Sequence, residues 1–354
     1  MKKTFINILK FLGFFGVGAT ILFLLFRSLN TAYQAQCKLD GIPADECSLF
    51  QKLLTDFREA DPFWLFMVVL VYVLSNISRA IRWKSLIKPL GYEVSFWNSF
   101  HTIMLGYFAN LGLPRMGEVL RPVSLARYEK LPLEKVMGTL VTDRILDFLA
   151  LFVTIGIAMI FEFDALWGWL SENMNLAEKG QSIFGNPFIQ AIIGFGMAAI
   201  IAFFIFRKRL LQSAFYKKIE GIALGFWEGI ISILKVDNLY AVAGHTAFIW
   251  LMYFSMTWFC MLSFAPTSGI TPMQGLMVFV FGALGMVMPS PGGMGTYHFM
   301  IMTALTLYGI DKPDGFSFAN ILFFVIQIFG NIFLGIVALI ALPIINRETE
   351  VVSN

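Results

Sequence analysis

The chain has 354 residues, of which 58% are hydrophobic and 14% charged, where an ordinary soluble domain carries roughly 25% charged residues. Lys+Arg 26 and Asp+Glu 23 are too few to coat so much apolar sequence in water, which excludes a soluble globule and points to an all-α polytopic membrane protein, a single integral membrane domain over 1–354. The net charge of +3 is too small for a nucleic-acid binder, so the information lies in where the Lys and Arg fall.

A span needs about 20 apolar residues, and the Lys/Arg bias orients the loops between spans. The first run, 5–29, follows Lys2 and Lys3; it has the charge pattern of a signal peptide, but its apolar stretch is too long, and it reads as a span. The loop 30–61 holds Lys38, Lys52 and Arg58 against Asp40, Asp45, Glu46, Asp56, Glu59 and Asp61, the balance of an outer loop. Cys37 and Cys47 share that loop and either form a disulfide in an oxidising compartment or stay unpaired thiols. Cys260, in an apolar run, reads as packing. The second span, 62–78, ends in Arg79, Arg82, Lys84 and Lys88, a cytoplasmic cluster. Runs 136–161 and 187–206 flank an acidic outer loop with Glu162, Asp164, Glu172 and Glu178, and the second run ends in Arg207, Lys208 and Arg209. Segment 210–235 repeats apolar residues at helical spacing opposite Lys217, Lys218, Glu220 and Glu228, as an amphipathic helix on the cytoplasmic membrane surface does. Runs 240–264 and 316–345 bring the count to about six spans, with both termini cytoplasmic.

Two apolar stretches remain, and parity decides their course. Stretch 96–113 lies between two basic, cytoplasmic clusters, so it enters and leaves on one face. Stretch 273–310 is broken at 289–295 and joins the outer ends of two spans, so it dips in from outside. Each half-hairpin of the second is only ~15 residues, enough to reach the middle of a 30 Å hydrocarbon layer. The order span, re-entrant hairpin, span thus occurs twice with opposite orientation, at 62–161 and 240–345, an inverted repeat of the kind that builds midplane transporter sites. The alternative is eight ordinary spans, some of them short.

Three polar groups stand inside this apolar frame. In the first hairpin, Asn110, Gly112, Pro114, Arg115, Gly117, Glu118 and Arg121 break the helix, free backbone groups that lipid cannot satisfy, and bring arginines to the turn. Glu118 has Arg115 and Arg121 at i±3, so a local ion pair neutralises one of them and leaves the other to attract an anionic oxygen. At the start of the third span, Asp143 and Asp147 share a helix face with Arg144 offset by one. Charges there either mark a pathway or sit at the interface, where Arg144 pairs with a carboxylate. The break Pro289, Ser290, Pro291, Gly292, Gly293, Met294, Gly295 ends one half-helix and opens the next, whose N-terminal N–H groups suit an anion. Tyr297 and His298 follow it, within reach of a headgroup, and His298 is also placed to titrate in a coupling step. His101 and His245 read as packing. No metal-ligand spacing, nucleotide loop or nucleophile with an evident base is present, so neither a cofactor nor an enzyme is implied.

These residues carry a resemblance to the lysylphosphatidylglycerol synthase transmembrane-region family, described also as flippase-like. The matching segments are Arg79 to Trp83, the N-x-x-L-P-R-x-G-E-x-x-R stretch from Asn110 to Arg121, Asp143 to Asp147 where the family has E-R-x-x-D, and P-S-P-G-G-M-G at 289–295. The resemblance implies a lipid-translocating module of the kind fused in some relatives to a soluble aminoacyl-lipid synthase domain. That domain is absent here, with about ten residues after the last span, so lysine transfer is not expected. An acidic residue that often follows the Pro-Gly-Gly turn is replaced, with His298 nearby. The expected function is a transporter of an anionic phospholipid or polyprenyl-phosphate lipid in the cytoplasmic membrane. Arg115, Arg121, Arg144 and the Gly292-Gly293 backbone receive the phosphate, and Glu118, Asp143 and Asp147 hold the arginines or carry a proton. The alternatives are a membrane enzyme acting on a lipid-phosphate and a non-transporting partner of an envelope lipid enzyme.

Overall fold

The computed structural model describes residues 47–112, 115–173, 231–288, 290 and 293–347, with short pieces within 20–38 and 224–229. Regular structure among them is entirely helical. Four of these helices are long and apolar enough to cross a membrane: Pro62–Leu90, Leu133–Asp164, Leu239–Ser263 and Lys312–Ile345. They coincide with four of the expected spans; run 187–206 and most of 5–29 and 210–235 lie outside the described residues.

A short amphipathic helix, α1 (Leu49–Glu59), precedes α2 (Pro62–Ile87). Asp61 caps α2 by accepting from the Phe63 N–H at 2.8 Å, with Pro62 at the first helical position, where a missing donor costs nothing. α2 does not stop at Ser78. Its apolar side continues through Ala80, Trp83, Leu86 and Ile87, all buried, so Arg79 and Arg82 lie within the packed helix and are not part of an interfacial loop. Two hairpins follow the expected breaks: α3 (Phe96–Gly112) with α4 (Met116–Tyr128), and α7 (Pro272–Val287) with α8 (Thr296–Thr306). Between them come α5 (Leu133–Asn173), interrupted at Glu162, and α6 (Leu239–Ser263). The last span is α9 (Lys312–Phe323), a π-helical stretch Phe324–Ile332 and α10 (Phe333–Ile345).

α2 packs along α6, the α3–α4 hairpin packs through α3 on α10, and the α7–α8 hairpin packs through α7 on α5. One apolar core joins α2, α6, α7, α8 and α9 around Val68, Cys260, Ile301 and Phe318; another joins α2, α3, α4, α5 and α10 around Trp83, Ile103, Leu125 and Leu342. Phe152, Val153, Ile160 and Phe161 of α5 point outward, as side chains facing lipid do.

At one end, α1 is tied to α9. Lys52 Nζ reaches Asp56 at 3.0 Å and Asp314 at 2.6 Å, and the Ser317 hydroxyl donates to Asp56. Burial pulls the Lys52 pKa down, but hydrogen bonds to Asp314 and Asp56 outweigh it and leave the pKa raised, so the tie persists at neutral pH. Cys37 and Cys47, left open between disulfide and thiols, are joined by a disulfide. Cys260 is buried and free.

Candidate functional site

α2, α4, α5 and α6 converge on one buried charge cluster. The spacing of α2 turns Arg79 and Arg82 to the same side, three residues apart, while α5 presents Asp143 and Asp147 four apart, so two guanidiniums face two carboxylates. Arg79 Nη1 donates to Asp143 Oδ2 at 3.0 Å and to Asp147 Oδ2 at 2.8 Å. Arg82 donates from Nε and Nη2 to Asp143 Oδ1 at 3.0 and 2.7 Å, and from Nη2 to Asp147 Oδ1 at 2.7 Å. α6 closes that side: the Tyr253 hydroxyl accepts from Arg79 Nη2 at 2.9 Å and the Thr246 hydroxyl from Arg82 Nη1 at 2.9 Å.

α4 delivers the remaining two groups. Arg121 Nη1 donates to Asp143 Oδ2 at 3.1 Å, and its guanidinium lies over the Trp83 ring, 3.9 Å from the centroid, a cation–π contact in a desolvated setting. Trp83 is itself held by its Nε1–H donating to Thr139 Oγ1 at 3.1 Å. Glu118 accepts a forked pair from Arg144, at 3.0 Å from Nη2 and 3.2 Å from Nε, and Arg144 Nη1 lies 3.6 Å from Asp147. Among the described residues, Arg79, Arg82, Arg121 and Arg144 face Asp143, Asp147 and Glu118 as their carboxylate partners, one positive charge more than negative.

Among the described residues Arg121 makes one hydrogen bond in the cluster, to Asp143. That residue is 3% exposed, yet its Nε and Nη2 have no hydrogen-bond partner among the described residues, and Arg79 Nε is in the same position. A buried guanidinium donor without an acceptor is costly, and an anionic oxygen is the partner that best satisfies it.

The i±3 ion pair expected within 115–121 does not form. Arg121 turns inward under Trp83 while Glu118, 37% exposed, reaches across to Arg144 of α5, so each charge finds its partner on another helix. Arg115 stands apart at the α3–α4 turn: it is exposed, holds a left-handed backbone (φ 61°), and points its guanidinium at the Val287 carbonyl at 3.5 Å. This contact ties the tip of one hairpin to the end of α7 in the other. Asn110 has a positioning role, since its Oδ1 accepts the Gly117 N–H at 2.7 Å and substitutes for a cap that α4 otherwise lacks.

At the second break, Pro289, Pro291 and Gly292 lie outside the described residues. The Thr296 hydroxyl lies 2.8 Å from the Gly285 carbonyl and 3.2 Å from that of Gly293, and pairs with Ser290 Oγ at 2.8 Å, so one side chain ties the end of α7 to the start of α8. Gly293 and Gly295 adopt φ of 82° and 83°, which favours glycine. Tyr297 and His298 are buried on α8; the His298 ring packs against Phe323 at 4.8 Å and Phe316 at 5.9 Å between centroids. Neither side chain is brought to the arginine cluster by any hydrogen bond or ion pair among the described residues. His245 is a packing residue, its Nδ1 2.8 Å from Ser78 Oγ.

Arg79 and Arg82, which the sequence placed in a cytoplasmic cluster and in the matching segment Arg79 to Trp83 but not in the site, and Tyr253 complete it. The available signal was that Arg79 and Arg82 interrupt an apolar stripe that resumes at Trp83 and Leu86, which a helix ending at Ser78 would not show.

A family model described as the lysylphosphatidylglycerol synthase TM region matches residues 48–335. A UPF0104 membrane protein of Methanocaldococcus jannaschii is 31% identical over 123 residues, which cover 32% of this chain and 36% of that protein. The alignment thus spans about a third of that relative's length. No solved structure matches the chain.

Proposed function

The chain belongs to the lysylphosphatidylglycerol synthase TM region family, and from that premise we propose that it carries an anionic membrane lipid between leaflets, with the lipid phosphate received by the arginine cluster. The observation that carries this reading is the buried edge of Arg121, unpartnered among the described residues, in a cluster whose described members carry one positive charge in excess. Charges inside a membrane protein are expensive and commonly mark a substrate path.

On this reading 62–161 and 240–345 are inverted halves, each a span, a re-entrant hairpin and a span, seated in the cytoplasmic membrane with both termini inside. Supporting it, each hairpin packs on the closing span of the other half: α3 on α10 and α7 on α5, while the opening spans α2 and α6 pack on each other. Reciprocal exchange of this kind is what an inverted repeat produces, and rocking of the halves gives alternating access. The Arg115 to Val287 contact joins the two hairpin tips and is placed to break and reform as the halves move. The sequence shows no nucleotide-binding loop, so the movement is downhill or ion-coupled.

A lipid-phosphate enzyme is the weaker reading. Asp143, Asp147 and Glu118 are each engaged by guanidiniums, so none of these three carboxylates stands free to take a substrate proton.

The test is reconstitution of the full chain in liposomes with a tail-labelled phosphatidylglycerol. Protein is expected to accelerate exchange between leaflets, and Arg121→Ala to slow it by about tenfold or more, the kinetic equivalent of one lost charge-assisted contact of roughly 1.4 kcal/mol. Equal rates with and without protein would rule the proposal out.

A further inference from the structure

We propose that α1 lies in the surface of the bilayer with one flank, Phe50, Leu54 and Phe57, set into the lipid. The partner of this part of the chain is the hydrocarbon edge of the membrane, whatever the arginine cluster binds.

α1 has two apolar sides, where a helix packed on a protein and otherwise washed by water has one. Successive residues turn by about 100°, which puts Leu49, Leu53 and Asp56 on one side. That side faces inward. Leu49 and Asp56 are buried, Leu49 and Leu53 pack with Met302 of α8 and Phe316 of α9, and Asp56 is held by Lys52 and Ser317. Phe50, Leu54 and Phe57 recur at i, i+4 and i+7 and form a second apolar side about a quarter turn around the helix. Phe50 is 59% and Leu54 45% exposed, so among the described residues nothing covers this flank. Gln51, Thr55, Arg58 and Glu59, all exposed, occupy the rest of the helix. This distribution suits a helix in the plane of the membrane surface, whose apolar side chains dip in by roughly 5–10 Å.

The contacts of α1 with the last span set its depth. Lys52 reaches Asp314, Asp56 accepts from the Ser317 hydroxyl, and Phe57 meets the Phe324 ring edge-on with centroids 5.2 Å apart, so α1 descends beside α9 from its first turn to its end. The last span has 34 residues, about 50 Å of helix against a hydrocarbon layer of about 30 Å. Its first turn, which carries Asp314, therefore reaches the headgroups, and Phe324, about 15 Å further along, lies within the hydrocarbon. The charged tie of Lys52 thus sits at headgroup level and Phe57 at the start of the acyl chains. Phe324 is itself exposed, as are Phe63 and Phe66 in the first turns of α2, so the flank of α1 continues a surface that two spans present to lipid. The bordering polar residues confine the flank to three side chains, far less than the roughly 800 Å² that each partner gives to a stable protein interface.

The experiment places a spin label on the full chain in phosphatidylcholine liposomes through Phe50→Cys, Leu54→Cys, Thr55→Cys or Arg58→Cys, one at a time. Cys37 and Cys47 are joined and Cys260 is buried, so the label goes to the new thiol. The ratio of collisions with oxygen, which concentrates in hydrocarbon, to collisions with a water-soluble nickel chelate is expected to be at least about fivefold higher at 50 and 54 than at 55 and 58. Equal ratios at the four positions would place α1 in water and overturn the proposal. Protection of 50 and 54 from both reagents would overturn it as well: with spin–spin broadening the cover is a second copy, and without it another segment of this chain. The unsubstituted chain gives an independent reading if a variant does not fold. A phosphatidylcholine with a photoreactive group near the top of its acyl chain is expected to tag the peptide 49–59, and tagging of the spans with none in that peptide would overturn the proposal.

Discussion

Asp143→Asn is expected to destabilise the protein by about 3–5 kcal/mol, the cost of removing one partner from a buried ionic network. Asp143 is fully buried, and its two oxygens together accept from Arg79, Arg82 and Arg121. Asparagine keeps the shape but withdraws the charge and presents an amide donor to guanidiniums that are donors already. The excess of one positive charge becomes two beside the fully buried Asp143 and Arg82, where solvent screens little. Denaturant or thermal unfolding of the detergent-purified chain measures the loss. A second substitution gives the diagnostic result: Arg121→Gln placed on top of Asp143→Asn restores the original excess of one and should recover at least about half of the lost stability, a coupling that only contacting residues show. A loss below about 1 kcal/mol for Asp143→Asn would mean that the cluster is solvated and its charges are not mutually dependent.

Gly117→Ala is expected to cost about 3 kcal/mol, at the upper end of what overpacking does. The first turn of α4 meets α3 backbone to backbone: a Cβ on Gly117 would lie 2.2 Å from the Gly106 carbonyl oxygen and 2.8 Å from Asn110 Oδ1. The obstacle is main chain, which cannot rotate away, and the same movement would break the Gly117 N–H bond to Asn110. Since α4 carries Glu118 and Arg121, separating α3 from α4 also withdraws both charges from the cluster. Stability and lipid exchange should therefore fall together in Gly117→Ala. Preserved exchange in a destabilised variant would show that α4 does not position the site through this contact.

Much of the helical layout was readable because its cause is local. Apolar runs longer than about 17 residues have few other folds, and prolines and glycines at 112–117 and 289–295 interrupt the hydrogen-bond ladder wherever they sit. Asp143 and Asp147 at i, i+4 were bound to share a face. Pairing was less readable. A guanidinium finds whichever carboxylate the packing brings near, and the i±3 pairs available to Glu118 lost to Arg144 on a different helix. The end of α2 is hidden for a related reason: Arg79 and Arg82 look interfacial until Asp143 and Asp147 arrive from α5 to make their burial tolerable.

The sequence by itself determined that this is a helical membrane protein, where its long apolar runs lie, where they break, and that arginines and carboxylates gather at 115–121 and 143–147, because hydrophobic length and backbone chemistry are properties of neighbouring residues. Only the tertiary structure decided which charges meet. It drew Arg79, Arg82, Arg121 and Arg144 around Asp143, Asp147 and Glu118, left Arg115 at the hairpin tip and packed His298 among aromatic rings. Electrostatic partnership inside a membrane depends on distance between different helices, 64 residues apart in the chain for Arg79 and Asp143 and 26 for Glu118 and Arg144. The positive charge left uncompensated among the described residues, on which the functional reading stands, is a sum over those partnerships.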